Sequence, residues 1–198
     1  MQKKSPRNKY DYNLYNSQSK QESKNTYQAH CIIGNQAYSN KDDKRFVMHL
    51  LNNLLGGPGM NSRLNMILRE KKGLAYNVES NYSTYTDVGI FHIYFGTDKK
   101  DLNQCLNLIH SDLKKLRGSK LGTIQLSRAQ RQLIGQIAIA AENNENLMLS
   151  NGRSILLFDR IDSLKEITKK IETISSKDIQ EISNDILIPH QLSSLMYC

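Results

Sequence analysis

No stretch of this sequence carries the roughly 18 consecutive apolar residues that a membrane-spanning helix needs, so a membrane-spanning helix is excluded. Nor does an apolar segment follow the basic opening Met1-Gln2-Lys3-Lys4, which therefore does not read as a secretory signal. Tryptophan is absent and hydrophobic residues reach only 38%, enough over 198 residues for one core of ordinary size. The three cysteines, Cys31, Cys105 and Cys198, are odd in number, far apart and without a Cys-x-x-Cys pair. They read as reduced structural thiols rather than a disulfide framework, which leans the compartment slightly toward the cytoplasm.

Catalytic signatures are missing as well. Neither His-x-x-Glu-His nor His-Glu-x-x-His occurs, and His30, His49, His92, His110 and His190 show no ligand spacing, so no metal site is expected in this segment. There is no Gly-x-Ser-x-Gly elbow. The glycines at 56–59 are not a phosphate loop, because no Gly-Lys-Ser/Thr follows and the loop leaves a helix rather than a strand.

What is present begins with charge. The net charge is +8, but residues 1–25 hold six Lys or Arg against two Asp or Glu, while residues 26–198 hold 21 against 17. Half the excess therefore sits in the tail, and the remainder is a mildly basic, solvated surface rather than a nucleic-acid footprint. Residues 1–25, rich in Asn, Ser, Gln and Lys, read as a polar linker or an arm that orders against a neighbour, ahead of a single domain over 26–198.

Periodicity predicts a strand from Tyr27 to Ile33, closed by Gly34 and Asn35. A helix capped by Asp42 or Asp43 follows, with Phe46, Val47, Leu50, Leu51, Leu54 and Leu55 at spacings of three and four, ending at Gly56-Gly57-Pro58-Gly59. A second helix runs from Asn61 or Ser62 to about Lys72, with Gly73 as its C-cap. Leu74–Tyr85 and Ile90–Gly96 then form an antiparallel hairpin, with Phe91, Ile93 and Phe95 on one face and His92 and Tyr94 on the other. Helices are expected after Asp98, from Ser127 to about Ser150 and on to Phe158, and over 164–174 and 177–187. A last strand is expected over 192–197. The order predicts an α+β fold: a mainly antiparallel sheet of four to six strands with helices packed on one face.

One constellation carries chemistry. Arg69 lies near the end of the second helix and Tyr76 near the start of the next strand, with Gly73 between them as a reversal. A guanidinium fork and a phenol on one rim would offer fixed donors to a peptide carbonyl or oxyanion. The alternatives are plain. Arg69 suits a helix C-terminus as a solvated cation, and Tyr76 shares strand parity with Leu74 and Val78, as a core tyrosine would.

The block Leu55-Gly56-Gly57-Pro58-Gly59, Ser62-Arg63-Leu64, Arg69-Glu70-Lys71-Lys72-Gly73-Leu74-Ala75-Tyr76, Asp87-Val88-Gly89 and Gly96-Thr97 resembles the second domain of zinc peptidases of the pitrilysin/insulinase superfamily, including bacterial processing-peptidase-like members. The similarity is densest over 54–97. The resemblance implies a zinc-free half that binds substrate and assists the transition state of a zinc-dependent endopeptidase acting on peptides or unfolded segments. The zinc, held by an inverted His-x-x-Glu-His motif, would come from an N-terminal domain of a longer chain or from a partner subunit in a homodimer or heterodimer. Arg69 and Tyr76 fall on the family's Arg–Tyr pair, implying catalytic roles in gripping a carbonyl and donating to the oxyanion. The loop resembles a shortened glycine-rich, substrate-contacting segment, implying substrate binding at Gly56, Gly57 and Gly59. Read from its own residues, the loop is a helix stop and tight turn. A non-catalytic scaffold subunit of the same fold, and less readily a nucleic-acid-binding module, are the competing functions.

Overall fold

Alternation along two strands builds the centre of the sheet. The computed structural model describes residues 15–198. In it, strands β2 (Gln28–Ala37) and β4 (Gly89–Asp98) pair antiparallel from Gln28 opposite Asp98 to Ala37 opposite Gly89. Ala29, Cys31 and Ile33 alternate inward on β2, as do Phe91, Ile93 and Phe95 on β4, and all six are buried. Strand β3 (Ala75–Thr84) pairs with the far side of β4. Strand β5 (Ser193–Tyr197) pairs with β2, and β1 (Ser19–Glu22) completes the order β1-β5-β2-β4-β3. The β1–β5 ladder is parallel and the others antiparallel.

Helices cover the inward face. Helix α1 (Arg45–Gly56) contributes Met48, Leu51 and Leu55, and α2 (Leu102–Gly118) contributes Cys105, Ile109 and Leu113. Helix α6 (Ser176–Ile186) adds Ile179, Ile182 and Ile186. Each such side chain stabilises the fold by about 1.5–3 kcal/mol relative to exposure. Between these lie a π-helix (Asn65–Glu70), α3 (Thr123–Ala141), α4 (Asn144–Phe158) and α5 (Leu164–Glu172). The expected α+β architecture is the one observed.

Several boundaries differ for identifiable reasons. Strand β2 continues past Gly34, because Gly34 sits opposite His92 where the β4 backbone crowds in; a Cβ there would lie 2.6 Å from the Phe91 carbonyl oxygen. Asp42 accepts from the Lys44 amide in the turn before α1 and does not cap the helix itself. The long helix expected from Ser127 begins at Thr123 and stops at Ala141. Asn143 then starts α4 by accepting from the Asn146 amide, a local bond that competes with helix continuation. Part of the polar stretch at 1–25 lies in the sheet as β1, and Tyr15 donates to the Gln191 carbonyl. Residues 1–14 lie outside the described residues.

Candidate functional site

Two backbone irregularities flank Gly73, and each holds one candidate residue. Arg69 lies in the π-helix, a wide-turn form that is rare and is frequently found at functional sites. Gly73 has φ +60°, the only positive-φ glycine among the described residues. Its amide bonds the Arg69 carbonyl at 2.9 Å, closing the turn. Two residues on, β3 carries a bulge: Ala75 faces Thr97 and Asn77 faces Gly96, so Tyr76 is the extra residue. The bulge resets the strand's alternation. Ala75 and Val78 point inward, and Tyr76 is 57% exposed rather than buried with Val78.

The Tyr76 hydroxyl donates to Asp98 Oδ1 at 2.8 Å. That hydrogen bond, followed by the charge of the same carboxylate, pushes the phenol above its ordinary range, so it stays protonated as a donor. Asp98 is 22 positions away and reads locally as the residue before a helix; only the β3–β4 hairpin register brings it to Tyr76. Arg69 is loosely held, with Nε 3.8 Å from Glu70 Oε1 in an exposed pair that constrains it little.

Arg69 lines a polar cleft of about 480 Å³ whose other walls include Gly56, Gly57, Asn52, Asn77 and Glu79. Tyr76 is not among its walls. Gly59 opens instead onto a separate depression beside α3, with Asn61 and Gln132. The structure thus brings Arg69, Gly56 and Gly57 to one cleft, sets Tyr76 on the adjoining strand, and leaves Gly59 apart. Gly56 is also a packing requirement: a Cβ would meet the Ser80 amide nitrogen at 2.4 Å, so α1 and β3 approach more closely than any side chain permits. Pro58 holds Gly57 extended, at φ −62° and ψ 174°, which ends α1.

Sequence reasoning missed two features of this cleft. Asn52 Oδ1 is buried without a hydrogen-bond partner, an acceptor that costs stability unless something donates to it. His49, also in the wall and still open to solvent, rests against Tyr82 with ring centroids 4.7 Å apart; desolvation by these neighbours chiefly, then Arg45, lowers its pKa to about 4. Neither announces itself in sequence, because each depends on what another element lays over it. The Ser62-Arg63-Leu64 motif is structural: Arg63 donates twice to buried Asp112 of α2, at 2.8 and 2.6 Å, and Leu64 is in the core.

Among the described residues no three His, Cys, Asp or Glu side chains gather to hold a metal ion; the cleft has His49 and Glu79 in its walls but no third such side chain. Cys31 and Cys105 are buried and free, and burial first, then the neighbouring Cys198 and Cys105 thiols, pushes Cys31 up to about 12, leaving it inert. No helix among the described residues is long and apolar enough to cross a membrane.

Residues 2–133 match the family described as peptidase M16 inactive domain. An uncharacterized zinc protease of Streptomyces coelicolor is 33% identical over 162 residues, 82% of this chain and 35% of that protein. A second, from Bacillus subtilis, is 31% identical over 163 residues, 82% of this chain and 40% of that protein. The chain therefore spans well under half the length of these relatives. The crystal structure of a peptidase M16 inactive domain from Pseudomonas fluorescens shares the fold with a TM-score of 0.82 at 19% identity, covering 92% of this chain and 43% of that one. Motifs, fold and relatives converge: the chain belongs to the M16 peptidase family, the pitrilysin/insulinase-type zinc metallopeptidases, and corresponds to its inactive domain.

Proposed function

We propose that this domain is the substrate-handling half of a zinc-dependent endopeptidase and acts on peptides or unfolded segments only beside a zinc-carrying domain or subunit. The observation that carries this reading is the pair of irregularities around Gly73. A π-helix and a β-bulge each cost regular hydrogen bonding, and the bulge turns the Tyr76 phenol outward where regular strand parity would bury it. Arg69 grips a substrate carbonyl along the cleft of Gly56 and Gly57. Tyr76 exchanges Asp98 for the oxyanion, donating from the protonated form that Asp98 maintains. Zinc bound in the other half would supply the activated water, while Arg69 and Tyr76 of this chain bind and orient the substrate.

The test is peptide hydrolysis by an assembly that includes the zinc-carrying half. Tyr76→Phe is expected to lower kcat by about 10²-fold, the usual weight of one oxyanion donor. Arg69→Ala is expected to act mainly on KM, as loss of binding shared by ground and transition states does. Wild-type rates in both variants would overturn the assignment and favour the non-catalytic scaffold, which the engagement of the Tyr76 hydroxyl by Asp98 already makes the serious rival.

A further inference from the structure

A gap of about 970 Å³ lies beneath α4, walled by residues of α1, α3, α4 and α5. Packed interiors leave few voids larger than a water molecule, whereas this one has the volume of a ligand pocket. Leu147, Leu157, Phe158 and Leu164 line it and are 37% to 43% exposed, because nothing among the described residues fills the space between them.

Arg45 stands in the same wall. Its guanidinium carbon lies 4.4 Å from the ring centroid of Phe46 and 5.0 Å from that of Phe158, and its side chain is only 16% exposed. Nη1 donates to the Asp42 carbonyl at 3.0 Å and lies 3.8 Å from Asp43 Oδ1, a carboxylate fully in solvent. Nε and Nη2 have no partner among the described residues. That edge takes a carboxylate through two parallel bonds, as the same edge of Arg63 takes Asp112. The other acid of the gap, Asp162, is already held by Lys170 at 2.6 Å and Arg160 at 2.8 Å. A largely buried cation without a close counter-ion is costly to hold, so the site lacks an anion. A carboxylate carried on an apolar body supplies what both the fork and the leucines are missing.

Helix α1 connects this site to Arg69. Arg45, His49, Asn52 and Gly56 recur at steps of four, three and four, and so share one face of the helix. His49 walls both the gap and the Arg69 cleft, and Asn52 and Gly56 wall the cleft. Between Arg45 and Gly56 the helix rises about 16 Å, the length of about five extended residues. We infer that the gap beneath α4 binds the C-terminal residue of a peptide, its α-carboxylate on Arg45 and its apolar side chain among Leu147, Leu157 and Phe158. About five extended residues along α1 separate that end from the carbonyl gripped by Arg69. The inference rests on the peptidase reading for the identity of the ligand as a peptide.

Fluorescence anisotropy of an N-terminally labelled octapeptide ending in leucine, titrated with the 198-residue chain, tests it. The free acid is expected to bind about tenfold or more tightly than the same peptide with a C-terminal amide, the weight of a charge-assisted pair. Arg45→Gln should abolish that contrast by weakening the acid alone, and Leu157→Asn should weaken both peptides. The comparison of acid with amide is made on the unaltered chain, so it decides the matter even where a variant misfolds. Equal binding of the two peptides, or no binding at about 1 mM, overturns the inference. So does displacement by dodecanoate at a lower concentration than by unlabelled peptide acid, which would assign the gap to a fatty acid. Neither zinc nor turnover enters the measurement. The expected contrast beside wild-type hydrolysis in Arg69→Ala and Tyr76→Phe would therefore sink the peptidase reading and leave the terminal site standing.

Discussion

A tyrosine that alternates regularly with Leu74 and Val78 would be drawn into the core, and strand parity taken from the sequence points there. One extra residue in β3 sends Tyr76 the other way, and the neighbouring carboxylate of Asp98 then fixes its hydroxyl. The consequence can be checked without catalysis. Asp98→Asn removes the charge that raises the phenol, so the Tyr76 titration followed by ultraviolet difference absorbance should move down toward the ordinary tyrosine range. His49 gives a second readout at this level. Its folded pKa of about 4 lies below the unfolded value near 6.5, so the unfolded chain binds more protons as pH falls between them. Stability should therefore be full above pH 6.5 and decline toward pH 4. Solvent reaching the outer edge of the ring screens the charge and holds the loss to roughly 1 kcal/mol. Denaturant titrations at both pH values check this, and His49→Gln should flatten the slope.

Elements are joined here by a few close contacts rather than by propensity. Arg63 enters the turn before the π-helix and reaches Asp112 on α2, which is only 2% exposed, in a bidentate ion pair. Removing one partner strands the other, and Asp112→Asn should cost about 3 kcal/mol in denaturant unfolding. Gly56 sets the spacing of α1 on β3. Gly56→Ala forces a methyl against the Ser80 amide and should lower stability by about 1–3 kcal/mol, read as a drop in melting temperature. The existence of both features was legible in the sequence as the Leu-Gly-Gly and Ser-Arg-Leu motifs. Their purpose was not, because Asp112 and Ser80 are distant in the chain and no local pattern points from one to the other.

For the molecule as a whole, the sheet ends in a strand taken from the polar stretch that composition assigns to a linker. Lys20 and Gln21 of β1 pair with Leu195 and Met196 of β5, and Tyr15 bonds Ser193 and Gln191. A chain beginning at Thr26 would lose that ladder and expose β5 as an open edge. It should melt lower and aggregate more readily with concentration, as light scattering would show.

The alternation of β2 and β4 and the helical stripes of α1, α2 and α6 were determined by the sequence itself, because each is a local rule that repeats every two or 3.6 residues. The reversal at Gly73 belongs with them, since a left-handed turn demands that residue. Tertiary structure alone decided which way Tyr76 faces, what Arg63 holds and where β1 lies. Each of these depends on a partner supplied from elsewhere in the chain, and a bulge or a buried pair has no period by which the sequence could announce it.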